Sequence, residues 1–346
     1  MKFPKSFCWY PFMGIHVSPP NDIKPCCKFV GNASSQEIRD TILSNRWHPG
    51  CNNCKQIEDT GYQKSLRKQY VGPRNIHAVL ENKQDIQRVE LSIDNLCNLA
   101  CVTCHEQISS RWMAENKRMY GKSSATSRID ETLLYSLDWA NIKHCVIYGG
   151  EPLYSKNTLK LLSWLIDSGF SNDIDLNFYT NGTISDPKAL SLFGDFKSVN
   201  IGVSIDGIGK RFEFIRWPAV WEDVQNNFKK LTAALDKPPH IIYTFSILNA
   251  MHTLEDFREL RKLTDEVHPN LVSEPEHFAA RHLPDSIKHR LIDEFEHDAV
   301  AQKFIPELAA QGDPALLEQC KTRVSELGSF RKLDLSVLGD IFVNNP

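Results

Sequence analysis

Cys97, Cys101 and Cys104 stand within eight residues, in the run Asn95-Leu96-Cys97-Asn98-Leu99-Ala100-Cys101-Val102-Thr103-Cys104. Three thiolates so close cannot all pair with one another. They can hold three corners of an iron-sulfur cube and leave its fourth iron open as a reaction site. Two plainer readings compete. A structural zinc wants four ligands, so three cysteines on one loop would need a fourth, for which the adjacent His105 is a geometric candidate. The thiols could also be buried and inert.

A second set lies nearer the start. Cys8 opens Cys8-Trp9-Tyr10-Pro11-Phe12, Cys26 and Cys27 follow Pro25, and Cys51-Asn52-Asn53-Cys54 precedes Glu58, Gly61, Ser65 and Arg67. Five thiols are offered where a metal site uses four, so either one is structural or the vicinal pair shares duties. A CxxC knuckle within such a set is also what zinc ribbons use. Cys145 and Cys320 read as ordinary buried small residues. The first residues lack the roughly 7–15-residue apolar core of a secretory signal, and no stretch approaches the roughly 20 apolar residues needed to span a bilayer. A cytosolic protein is therefore expected, in which ten cysteines argue for metal or redox work rather than disulfides.

Apolar periodicity supplies the elements that must position these thiols. Strands are predicted over 89–93, 145–148, 174–179, 199–205 and 241–247, and helices over 109–120, 131–139, 158–168, 221–235 and 254–263. Leu161, Leu162, Leu165 and Ile166 mark one helical stripe. Strand-helix alternation specifies an α/β fold with a parallel sheet, whose chemistry gathers at the C-terminal strand ends. Two shorter helical pieces, 40–46 and 56–70, bracket the CxxC. At 346 residues there is ample surface for a large core, and the formal charge of −3 shows no bias toward nucleic acid. The basic stretch from Lys64 to Lys68, with Arg74 beyond, reads as a solvated helix face. The last part, from about Val272, carries Pro275, Pro284, Pro306 and Pro314 between helix-like segments and scattered histidines, and no chemical motif.

The predicted strand ends carry further motifs. After 145–148 comes Gly149-Gly150-Glu151-Pro152, where paired glycines let a ligand approach the backbone. The next strands end in Thr180-Asn181-Gly182 and in Ser204-Ile205-Asp206-Gly207. Together with the cysteine triplet, in this order, these runs resemble the radical S-adenosylmethionine (SAM) superfamily. The resemblance implies a partial (β/α)6 radical SAM barrel in which the open iron chelates the methionyl group of SAM. It assigns Gly149, Gly150, Glu151, Thr180, Asn181 and Ser204 as SAM contacts. Arg216 could pair with the methionyl carboxylate or form a surface salt bridge. In many members an aromatic residue precedes the third cysteine and packs on adenine. Here that residue is Thr103, so other groups must grip the adenine.

The early cysteine set resembles a twitch or SPASM-like module, placed before the barrel, which holds an auxiliary iron-sulfur cluster on Cys8, Cys26, Cys27, Cys51 and Cys54. The expected organisation is a cysteine-rich auxiliary-cluster module over 1–84, the radical SAM core over 85–270, and a mostly helical C-terminal extension over 271–346 that closes the barrel and substrate pocket. The resemblance implies reductive cleavage of SAM at a 4Fe-4S cluster, with an electron donor such as flavodoxin or ferredoxin. The 5′-deoxyadenosyl radical formed takes a hydrogen atom from substrate. A second cluster that accepts the substrate's electron favours net oxidation or crosslinking of a peptide or protein side chain, with dehydrogenation of a small polar alcohol, sugar or aminocyclitol as the alternative. Cys8 lies so near the start that no leader-binding domain is expected before it, so a peptide would need a partner or a groove. Asp206 could serve as the general base, or as a ribose contact or turn cap. A zinc-stabilised binding protein on the same scaffold is the non-enzyme reading.

Overall fold

The computed structural model describes residues 4–59, 65–69, 85–272 and 274–343. Gly61 and Arg74, and part of the predicted 56–70 helix, lie outside the described residues. The alternation builds an eight-stranded sheet from β1 (Gly14–Ser18), β2 (Asp22–Lys24), β3 (Arg88–Ser92), β4 (His144–Tyr148), β5 (Asp175–Thr180), β6 (Ser198–Ser204), β7 (His240–Phe245) and β8 (Val267–Leu271). Their order is β2-β1-β3-β4-β5-β6-β7-β8. All neighbours run parallel except β1 and β2, and β3 to β8 follow chain order, as consecutive strand-helix-strand units do.

All five predicted strands form; β1, β2 and β8 are additions. β8 is Val267-His268-Pro269-Asn270-Leu271, a polar sequence with a proline that only an edge strand tolerates. β1 pairs in parallel with β3, Gly14 level with Arg88 and His16 level with Glu90. The N-terminal cysteine segment is thereby stitched into the barrel sheet instead of standing beside it.

Side chains alternate across each strand. Val89, Leu91, Cys145, Ile147, Leu176, Phe178, Ile201, Val203, Ile241 and Tyr243 point to one side and join a continuous core. Arg88, Glu90, Ser92, Tyr148, Asn177, Tyr179, Asn200 and His240 occupy the other face. There the amide of Asn200 donates to Asn177 Oδ1 at 3.1 Å, and Tyr148 stacks on His16 with ring centroids 5.8 Å apart. A sheet with one apolar and one polar face has a core on the first and room for polar contacts on the second.

Three helices bear on the site. α1 (Ser110–Tyr120) starts where the Ser109 side chain accepts a hydrogen bond from Trp112 N–H, and it stops at Gly121, whose φ of 74° is left-handed. α2 (Lys156–Asp167) is capped by Ser155 and buries Leu161, Leu162 and Leu165 against the sheet. α3 (Pro314–Arg331) starts at Asp313, which caps Ala315 N–H. The C-terminal extension packs on the apolar side of β7, where Phe304 lies flat on Phe245 at 4.2 Å. Truncating such a ring to alanine costs about 3–5 kcal/mol. α3 then returns toward the loop after β3.

Candidate functional site

The three-cysteine loop leaves β3 and enters α1, and backbone hydrogen bonds fix it. Ala100 N–H donates to Trp217 O at 2.7 Å, Val102 N–H to Ile215 O at 2.8 Å, and Cys104 N–H to Cys101 O at 3.0 Å. Ser109 Oγ donates to Leu99 O at 2.6 Å and Trp112 Nε1 to Cys101 O at 2.8 Å. Cys97, Cys101 and Cys104 are free thiols. Burial pushes the Cys97 thiol up to about 12 and raises Cys101 and Cys104 as well. The charges of Cys101 and Cys97 add to the rise at Cys104, so the three sulfurs lie within each other's electrostatic reach. Three bare thiolates in such a place repel, whereas a cationic multi-iron core would satisfy them together. This donor set fits an iron-sulfur cluster. His105 is exposed, and among the described residues no three His, Cys, Asp or Glu side chains close around a single metal ion.

The glycines after β4 are required where they stand. Gly149 and Gly150 have φ of 85° and 56°. A Cβ on Gly149 would lie 2.0 Å from Ser92 Oγ, and one on Gly150 would lie 2.4 Å from Leu96 O, at the entrance to the cysteine loop. Glu151 follows, fully buried. Its N–H donates to Leu96 O at 2.8 Å. Its carboxylate accepts from Leu153 N–H at 3.0 Å, Thr180 Oγ at 2.7 Å and Asn181 N–H at 2.6 Å. Burial still lifts its carboxyl to about 6. Glu151 therefore ties three strand-end loops together, with both side-chain oxygens engaged inside the protein. Asn181 donates to Asn98 Oδ1 at 3.0 Å and lies 4.0 Å from the Cys97 sulfur. Asn181 and Gly150 thus meet the cysteine loop, Gly149 lies against Ser92 at the end of β3, Thr180 is held by Glu151, and Ser204 sits half-buried at the end of β6.

Arg216 and Asp206 find each other. Arg216 Nε donates to Asp206 Oδ2 at 2.8 Å and Nη2 lies 2.6 Å from the same atom, while Thr244 N–H donates to Oδ1 at 2.9 Å. Asp206 is buried and Arg216 mostly so, which makes this an interior ion pair beside Cys101 and Cys104, whose charges add to the rise in the Arg216 pKa. Both Asp206 oxygens accept donors, Oδ2 from Arg216 and Oδ1 from Thr244.

The early cysteines divide. Cys8, Cys26, Cys51 and Cys54 line one small pocket together with Tyr10, Trp47 and Arg67. Cys27 is absent from its wall. Its N–H donates to Glu90 Oε2 at 3.1 Å, and its thiol lies beside the Tyr148 phenol on the polar face of the sheet. Arg67 holds the pocket's far side, donating from Nη1 to Phe7 O at 2.6 Å and from Nε to Glu58 Oε1 at 2.6 Å, with Ser65 on the same carboxylate. The Tyr10 ring, in the pocket wall, lies 5.5 Å from the Arg88 guanidinium, so the pocket abuts β3. His16 was not singled out by its sequence. It is 8% exposed, with both ring nitrogens unpartnered. Burial lowers its pKa, which keeps the ring neutral.

A mostly parallel sheet, a three-cysteine loop after β3 and a Gly-Gly-Glu turn after β4 define an α/β class with its motifs at the strand ends. Residues 91–264, half of the chain, match the Radical SAM superfamily, and the chain belongs to that superfamily. Solved structures of similar fold include native anSMEcpe with bound AdoMet, at 16% identity and TM-score 0.45, covering 61% of this chain and 60% of that one. Another is Streptococcus suis SuiB bound to the precursor peptide SuiA, at 12% identity and TM-score 0.42, covering 91% and 66%. The chain spans 60% of the length of anSMEcpe. No curated protein matches it.

Proposed function

We propose that this chain carries a 4Fe-4S cluster on Cys97, Cys101 and Cys104, binds SAM across the strand ends, and performs a net oxidation or crosslink on a peptide or protein side chain. A second 4Fe-4S cluster, on Cys8, Cys26, Cys51 and Cys54, would accept the electron left on the substrate. The observation behind this reading is the presence of two separate groups of free, largely buried thiols joined by the polar face of one sheet. When bound, the first cluster and SAM supply a 5′-deoxyadenosyl radical that removes a hydrogen atom from substrate.

The protein's own residues then have distinct tasks. Gly149 and Gly150 let the turn pack against Ser92 and Leu96 and present its backbone groups to the methionyl end of SAM, while Glu151 holds that turn against Thr180 and Asn181. Arg216, neutralised in part by Asp206, keeps positive charge beside the thiolates, and Asp206 is assigned to that pairing instead of to proton transfer. Ser92, Tyr148, Asn177 and Asn200 offer hydrogen bonds to a polar substrate and turn it toward the strand ends. A flavodoxin or ferredoxin would supply the starting electron. The same polar lining suits a small alcohol, sugar or aminocyclitol, which is the second reading.

The test is anaerobic purification with iron and sulfide counts. About eight irons per chain, falling to about four when Cys97, Cys101 and Cys104 are all changed to alanine, supports both clusters. SAM with dithionite should release methionine and 5′-deoxyadenosine from the wild type only. About four irons falling to none would assign the N-terminal pocket to zinc or to no metal. A colourless wild type without sulfide would leave the zinc-stabilised binding protein.

A further inference from the structure

Arg331 is the last residue of α3, far beyond the segment that matches the superfamily. It is 7% exposed, and its guanidinium reaches the cysteine loop. Nη2 donates to Ala100 O at 2.8 Å and to Glu115 Oε2 at 2.7 Å, and Nε donates to Glu115 Oε2 at 3.0 Å. Glu115, on α1 and 3% exposed, accepts on its other oxygen from Trp217 Nε1 at 3.0 Å. Trp217 O in turn accepts from Ala100 N–H at 2.7 Å. The Arg331 guanidinium also lies 4.8 Å over the ring of Trp112, whose indole N–H binds Cys101 O. The peptides at Ala100 and Cys101 are therefore held from three directions by one buried network. Arg331 Nη1 is buried in it with no partner.

We propose that Arg331 is a positioning residue for the three-cysteine loop, and that the Arg331–Glu115 pair sets the reduction potential of the cluster held there. This rests on the cluster reading given above. The physics is electrostatic. Reduction adds a negative charge to the cluster, and a nearby buried cation favours that charge while a buried carboxylate opposes it. A purely mechanical brace would lack this sign. Arg216 sits near the same sulfurs in a separate ion pair, with Asp206 as its counter-ion where Arg331 has Glu115.

The experiment uses the full-length protein reconstituted anaerobically, with iron counts and an EPR-monitored redox titration of the signal that added SAM perturbs. Glu115→Gln keeps the shape and one acceptor oxygen but removes the carboxylate charge, and should move the midpoint to more positive potential. Arg331→Met should move it to more negative potential and lower iron occupancy. Arg331→Lys, which keeps the charge but not the fork, should retain the wild-type potential with reduced iron retention. Opposite shifts in Glu115→Gln and Arg331→Met support the proposal. Shifts of the same sign, or unmoved midpoints at normal iron content, overturn it. Should Arg331→Met not fold, an unmoved midpoint in Glu115→Gln alone overturns it. A wild type that binds no iron overturns the underlying cluster reading and this inference together, and the iron count tells the two failures apart.

Discussion

Cys26 and Cys27 are neighbours in the chain and serve different surroundings. Cys26 lines the pocket of Cys8, Cys51 and Cys54, while Cys27 is anchored to Glu90 and lies against Tyr148 on the polar face of the sheet. Four thiols in one pocket match the ligand count of a cluster, and the fifth is left to the interior.

The first prediction concerns that division. Cys26→Ser should lose about four of about eight irons, whereas Cys27→Ser should keep them all. Iron and sulfide assays on anaerobically purified protein decide this, and equal losses from both variants would mean that the vicinal pair shares the ligation.

At Gly150 the chain has no room for a side chain. Gly150→Ala places a methyl group about 2.4 Å from Leu96 O in a left-handed backbone, so about 1–3 kcal/mol of stability should be lost. SAM affinity should fall at least about tenfold while iron binding at the cysteine loop survives. Equilibrium dialysis of labelled SAM against reconstituted protein separates the two effects.

Glu151 makes a pH prediction. Burial raises its carboxyl from 4.5 to about 6, so the folded chain holds this proton more tightly than the unfolded chain does. The favourable contribution is complete below pH 4.5 and is lost as pH rises through about 6, a change of about 2 kcal/mol. Urea unfolding of the iron-free protein should show this loss, and Glu151→Gln should remove it. A variant with the wild-type slope between those values would refute the assignment.

The buried pair of Asp206 and Arg216 predicts an asymmetry. Arg216→Met leaves a carboxylate with Thr244 N–H as its remaining donor and should cost about 3–5 kcal/mol, whereas the double variant Asp206→Asn with Arg216→Met should recover much of that loss. Denaturant midpoints give the comparison. If Asp206→Asn alone abolished turnover while leaving stability and cluster content intact, the acid-base role would be restored to Asp206.

Much of the fold was legible because buried parallel strands leave continuous apolar runs and their helices leave stripes, as at Leu161, Leu162 and Leu165. The cysteine loop and the Gly-Gly-Glu turn were legible because their chemistry demands adjacent residues. β8 and β1 were not. His268, Pro269 and Asn270 have no strand pattern of their own, and Val17 lies on a strand whose parallel partner is distant in sequence.

Local sequence by itself supplied the motifs whose order resembles the family: three thiols on one short loop and two glycines at a strand tip are contiguous, so no folding is needed to see them. Partnership between distant residues was decided only by the tertiary structure. Nothing near Arg331 in the chain announces that it meets Glu115 and Ala100, nor does Asp206 declare Arg216 rather than a substrate proton as its partner. Such pairs are selected by desolvation, which rewards a buried charge only where packing delivers its counter-ion, and packing is a property of the whole chain.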